Sequence, residues 1–234
     1  MVCSLKRILV ALLAAGTLSL VPSLAVAAER AHGAPLARAG ELGAVAPGLD
    51  RDVLAMALRA HARALEAGQA RRAVLAVIDY SLPSSARRLW VLDLDRGALL
   101  FHERVAHGRG SGVFAPTTFS NVHRSHASSL GVFVTAERYV GKHGTSLRLD
   151  GLEPGVNDAA RARAIVVHGA AYVNDAFVLA NGRAGRSHGC PAVDPAIAPQ
   201  LIEALAGGAV LFAYYPDPSW LGASAFVRAT TPRA

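Results

Sequence analysis

One cysteine and one histidine in this chain have the types and the spacing to carry out acyl transfer. Cys190 sits in the tetrapeptide Ser187-His188-Gly189-Cys190, and His168 ends the apolar run Ala164-Ile165-Val166-Val167. A thiol attacks a carbonyl as its thiolate, and an ordinary pKa of about 8.5 leaves little thiolate at neutral pH, so a base must stand nearby. A strand terminus is a rigid platform for such a base, and the 22 residues from His168 to Cys190 let the chain loop back. His188, two residues before the nucleophile on a tight turn, points away from the sulfur and reads with Ser187 and Gly169 as support for the turn. Gly189 permits a backbone that a Cβ would resist, so that the amides of Gly189 and Cys190 can face a developing oxyanion. A helix expected over 194–206 would aim its N–H groups back at the thiol and lower its pKa.

Other readings of the same residues are weaker. His168, His188 and Cys190 are zinc-ligand types, yet no HExxH or paired CxxC accompanies them, so neither metal nor cofactor is expected. A free cysteine can also be a small core residue, and a histidine a satisfied core group. His107, His123, His126 and His143 fall in loop-like stretches and read as surface or pocket-lining residues. The run His107-Gly108-Arg109-Gly110-Ser111-Gly112 lacks the Lys-Ser/Thr ending and the following helix of a phosphate loop.

The elements that must position the dyad are mostly strands. Apolar or alternating runs at 73–80, 88–94, 98–106, 131–135, 146–149, 164–168 and 209–215 predict them, with Asp95-Arg96-Gly97 as a turn. Residues 107–131 are rich in Gly, Ser, His and Asn and read as a long loop. Before the strands, Val53, Leu54, Ala57, Leu58 and Leu65 recur at helical spacing, with Asp52 as N-cap and Gly68 as stop. The chain thus divides into a signal peptide at 1–28, a linker at 29–50, a helix at 51–72, a catalytic domain at 73–216 and a tail at 217–234.

The first 28 residues read as an export signal. Lys6 and Arg7 precede an apolar stretch that ends in Ala25-Val26-Ala27, a small-x-small cleavage site. An uncleaved membrane anchor is the alternative, since 8–28 is uncharged and long enough to span a bilayer. Either way the body is expected in the periplasm or cell envelope. Cys190 is the only cysteine beyond this segment, and an unpaired thiol in an exported protein points to reactivity. Removing Lys6 and Arg7 lowers the formal charge of +7 to +5, nearly all of it arginine, with Lys142 the one remaining lysine. No basic run is interleaved with aromatics, so nucleic acid is not an expected partner.

At its chemistry-bearing residues the sequence resembles the YkuD-type L,D-transpeptidases, whose signature is a His followed, after an interval, by Ser/Thr-His-Gly-Cys. Here His168-Gly169 precedes Ser187-His188-Gly189-Cys190. The flanks, among them Phe119-Ser120-Asn121, Ser128-Ser129-Leu130-Gly131, Leu147-Arg148-Leu149-Asp150-Gly151-Leu152 and Cys190-Pro191-Ala192, resemble the murein L,D-transpeptidase catalytic domain branch over 74–215. The resemblance implies a mainly β, α+β fold, a curved sandwich or barrel with a few helices, one following the catalytic cysteine turn. It also implies thioester chemistry on peptidoglycan stem peptides, which serve as donor and acceptor. Transfer to a stem amine makes a 3→3 cross-link, transfer to water makes an L,D-carboxypeptidase, and transfer to an envelope protein makes an anchoring enzyme. A non-catalytic peptidoglycan-binding protein would retain the fold without the dyad. The sequence departs from the common pattern in carrying Pro191-Ala192-Val193 after the cysteine, where Arg or Asn often follows. Carboxylate recognition is then expected from Arg183, Arg186, Arg109 or Arg148, with Asn121 as a further binding candidate.

Overall fold

All six residues of β1 (Val74–Asp79) are buried, because both faces of this strand are covered. A computed structural model describes residues 37–228, so the expected signal at 1–28 lies outside the described residues. Helix α1 (Arg51–Glu66) packs on β1 and buries Val53, Leu54, Ala57 and Leu58. Its N-cap is Asp50, two residues before the Asp52 expected from sequence. The Asp50 carboxylate accepts from the Asp52 and Val53 amides at 2.8 and 3.1 Å, and Asp52 sits in the first turn instead.

Seven further strands complete one sheet: β2 (Leu89–Asp93), β3 (Ala98–Glu103), β4 (Gly131–Gly141), β5 (Gly144–Gly151), β6 (Val166–Gly169), β7 (Ala192–Val193) and β8 (Val210–Tyr214). The strand order is β3-β2-β1-β8-β4-β5-β6-β7. The β1/β8 and β6/β7 pairs are parallel and the others antiparallel. The two ends of this order approach each other just past β3. Ala106 N–H donates to Ala192 C=O at 2.8 Å, and Gly108 bridges Ser187 in parallel. The sheet therefore curls into a nearly closed barrel, the mainly β architecture with a few helices expected from sequence.

β4 runs to Gly141, well past the expected 135. Its outer half is polar and exposed, so the apolar signal ends while the hairpin bonds to β5 continue past an irregularity between Thr135 and Arg138. Lys142 and His143 form the hairpin tip. β6 starts at Val166, not 164, because Ala164 adopts a left-handed backbone (φ +55°). Between β6 and the cysteine turn lie a 3₁₀ turn (Ala171–Val173) and α2 (Asp175–Asn181), capped by the Asn174 side chain on the Phe177 amide. Helix α3 (Ala198–Leu205) buries Ala198, Leu201, Ile202 and Leu205.

Two stretches expected to lie outside the fold are part of it. Within the expected linker, 37–43 is helical, and Ala39, Leu42, Ala46 and Leu49 join the main core. Their three- and four-residue spacing is helical, but Gly and Pro between them obscure it. Within the expected tail, α4 (Pro218–Ala223) packs Trp220 against the core. Its Trp220 Nε1 and Ser224 Oγ donate to the buried Glu153 carboxylate, which also accepts the Val132 amide at 2.8 Å. Among the described residues no helix is long and apolar enough to cross a membrane.

Candidate active site

His168 is held from both sides by the sheet. It pairs with Ser146 on β5 and with Ala192 on β7, two residues beyond Cys190, so the ladder that fixes the histidine also fixes the cysteine turn. The Nδ1–H of His168 donates to the Gly169 carbonyl at 2.9 Å. A carbonyl only accepts, so the neutral ring carries its proton on Nδ1 and leaves the Nε2 lone pair free. Burial pushes the His168 pKa down, and His143 and Lys142 add to that, against the opposing pull of the Gly169 carbonyl. The ring is thus a neutral base at pH 7. The His143 ring stacks on it, with centroids 4.3 Å apart and planes 21° from parallel.

Cys190 is a free thiol lining a cleft of about 680 Å³, a volume suited to a peptide-sized ligand. His168, Lys142, His143, Arg163, Tyr172, Arg186 and His188 share that cleft. Sγ donates weakly to the Ala164 carbonyl at 3.7 Å. Burial pushes the Cys190 thiol up, opposed by the Val166 amide, Arg163 and Lys142. The expected lowering by a helix dipole does not occur. α3 begins eight residues after Cys190, and β7 and Asp194 intervene. Among the described residues no hydrogen bond joins His168 to the sulfur, so the resting pair is a neutral thiol and a neutral imidazole rather than an ion pair.

The turn itself is cross-braced. Ser187 Oγ accepts the Gly189 amide at 3.0 Å and donates to the Cys190 carbonyl at 2.7 Å. The Gly189 N–H is therefore spent inside the turn and does not face an oxyanion, contrary to expectation. The Cys190 amide finds no acceptor among the described residues. Gly189 has φ +117°, and a Cβ there would stand 2.7 Å from the Ala127 carbonyl oxygen and 2.9 Å from Ile165 Cδ1. His188 is exposed and stacks on His126 at 4.3 Å, while Arg109 donates to His126 Nδ1 at 2.9 Å. His107, expected at the surface or in the pocket, is fully buried. Its Nδ1 accepts from Arg88 at 2.9 Å, and burial followed by the Arg88 charge pushes its pKa down to about 4.

Of the expected substrate-binding residues, only Arg186 lines the cleft. Arg148 pairs with Glu137 at 3.0 Å and lies over the Tyr139 ring. Asn121 clips Asp158 at 2.7 Å, Arg183 bonds the Ala184 carbonyl, and Arg109 is taken up by His126. Sequence reasoning passed over Arg163, Lys142 and Tyr172, whereas His143, expected at the surface or lining a pocket, lines this cleft. Lys142 stood out as the one lysine beyond the export segment, but nothing local tied it to the dyad. Among the described residues no group of three or more His, Cys, Asp or Glu side chains is arranged to hold a metal ion.

The model of a protein family described as L,D-transpeptidase catalytic domain matches residues 45–214, a span that contains the whole sheet, the dyad and the cleft. The chain belongs to this L,D-transpeptidase catalytic domain family. Among solved structures it is similar to an L,D-transpeptidase from Mycobacterium smegmatis, at 17% identity over 61% of this chain and 59% of that one, with a TM-score of 0.37. It is also similar to L,D-transpeptidase 1 from Mycobacterium tuberculosis, at 15% identity over 61% and 62% of the two chains and a TM-score of 0.35. A third is the helical cell shape determining protein Pgp2 from Campylobacter jejuni, at 9% identity, 62% and 48% coverage and a TM-score of 0.40. The match thus spans less than two thirds of each of these chains. No curated protein matches the sequence. The family boundary at 45 agrees with the packing of Ala46 and Leu49 into the core rather than with a linker reaching to 50.

Proposed function

We propose that this L,D-transpeptidase-family cleft performs cysteine acyl transfer on peptidoglycan stem peptides, in an exported protein of the periplasm or cell envelope. The observation that carries the reading is the commitment of His168 Nδ1 to the Gly169 carbonyl, which leaves Nε2 as a base in the cleft that holds Cys190. In the first half-reaction the Cys190 proton passes to Nε2 as sulfur attacks the carbonyl of the third, diamino-acid residue of a tetrapeptide stem. The Cys190 amide is the donor available to the oxyanion. Collapse breaks the C–N bond to the terminal D-Ala, whose amine takes the proton back from His168, and a thioester remains. In the second half-reaction His168 removes a proton from the acceptor amine of another stem, which displaces the thiol and forms a 3→3 cross-link. Lys142 and Arg186, cationic groups lining the cleft, are the candidates to receive stem carboxylates.

The test is mass spectrometry of the protein incubated with a disaccharide-tetrapeptide, beside Cys190→Ala. A cross-linked dimer absent from the variant supports transpeptidation. A tripeptide alone assigns water as the acceptor. No product from folded, reduced protein refutes the reading.

A further inference from the structure

Arg163 is half-buried beside the nucleophile, and its charge is not neutralised. Its Nη1 donates to the Ser120 carbonyl and to Ser129 Oγ, both at 2.6 Å. Its Nη2 donates to the Ala127 carbonyl at 2.6 Å and to Ser125 Oγ at 3.2 Å. All four acceptors are neutral, and among the described residues no carboxylate lies within ion-pair distance of this guanidinium. With every Nη proton engaged, no fork remains to grip a substrate carboxylate, so Arg163 is unsuited to the bidentate recognition arginines usually provide. What remains is a fixed positive charge. It stands next to the cysteine turn: Nη2 is 3.3 Å from the Cβ position of Gly189, and Arg163 lines the cleft with Cys190.

We propose that Arg163 is a positioning residue for the nucleophile, clamping the 120–129 loop against Gly189 while its unpaired charge favours the Cys190 thiolate that forms during attack. The inference rests on Cys190 being the nucleophile. The clamp bears on the turn because the Ala127 carbonyl it holds is the atom that leaves no room for a Cβ at Gly189. Two non-glycine residues of the clamped loop, Arg124 (φ +60°) and His126 (φ +54°), are left-handed, a conformation that the surrounding bonds must enforce. Burial pushes the thiol up, and the charges of Arg163 and then Lys142 oppose it, along with the Val166 amide. The other charged or titratable groups around the sulfur are His168 from β6, Lys142 and His143 from the hairpin tip, Tyr172 from the 3₁₀ turn, and Arg186 and His188 from the cysteine segment, all lining the cleft, with Tyr80, buried just past β1, on the core side of the turn. None of the cations among them is packed so closely against Gly189.

The experiment is the rate of Cys190 alkylation by iodoacetamide as a function of pH in the full chain, for the unmodified protein, Arg163→Gln, Arg163→Lys and Ser125→Asp. Loss of the charge in Arg163→Gln raises the inflection by about one pH unit, so alkylation below it slows about tenfold. Arg163→Lys keeps the charge and restores the inflection at least in part. Ser125→Asp leaves the arginine in place but sets a carboxylate against Nη2, and it too raises the inflection. A clamp without an electrostatic role would change rates and leave the inflection where it was, which overturns the proposal. Where Arg163→Gln fails to fold, Ser125→Asp decides alone: an unmoved inflection overturns it. Alkylation requires no stem peptide, so a failed cross-linking assay leaves this result readable.

Discussion

Replacing Gly189 by alanine separates the backbone demands of the cysteine turn from those of the fold. At φ +117° the residue lies outside the regions open to L side chains, and enforcing it on alanine costs about 1–3 kcal/mol. The added methyl meets Ile165 Cδ1 at 2.9 Å and the Ala127 oxygen at 2.7 Å. The isoleucine end can rotate aside. The carbonyl cannot, since Arg163 holds it at 2.6 Å, so the turn itself moves by roughly 0.5–1 Å to reach ordinary contact distance. The two contributions together destabilise by about 2–4 kcal/mol, a fall in Tm of about 5–15 °C for a chain of this size. A displacement of that order at the nucleophile costs about 100-fold in turnover. Gly182 is the control: it is also left-handed (φ +68°), but nothing lies within 4 Å of its Cβ position. Gly182→Ala therefore carries only the backbone cost, about 1 kcal/mol, and turns over normally. Thermal unfolding and the dimer-forming assay on both variants provide the test. A Gly189→Ala protein as stable and as active as Gly182→Ala refutes the argument that this turn is geometrically constrained.

Three further outcomes are expected. His168→Ala loses about 100- to 10,000-fold in turnover as its general base disappears, whereas His188→Ala, exposed and stacked on His126, loses far less; equal losses in the same assay would displace His168 as the base. Glu153→Ala strands the Val132 amide, Trp220 Nε1 and Ser224 Oγ in the interior and lowers stability by about 3 kcal/mol in urea titration, with cross-linking by the remaining folded protein unchanged. A carbapenem acylates Cys190 through its strained lactam, detected as a mass increase of the intact protein that Cys190→Ala abolishes; no adduct on demonstrably reduced thiol contradicts the proposed chemistry.

The parts of this protein legible in its sequence are those governed by near neighbours. Seven of the strands follow from apolar runs bounded by turn residues, and the Ser187-to-Cys190 turn and the His168 strand end stand out because residue type and short spacing define them. Where long-range bonds outweigh local pattern, the sequence misleads. The outer half of β4 is polar, yet β5 pairs with it; the alanines near the N-terminus look like linker, yet the core takes them up; and the C-terminal stretch looks like tail, yet Glu153 secures it. The same holds for the site. Nothing near Arg163 in the chain marks it, because its four acceptors lie 34 to 43 positions away, and His143 reaches His168 only because a hairpin folds over the cleft. Even the thiol's state was decided in three dimensions: local order suggested a helix end beside Cys190, whereas the folded chain inserts β7 there and the surroundings of the half-buried thiol push its pKa up. Sequence determined which groups could react. Tertiary structure decided which of them meet and in what protonation state, because burial and unpaired charge are properties of the surroundings and not of the residue.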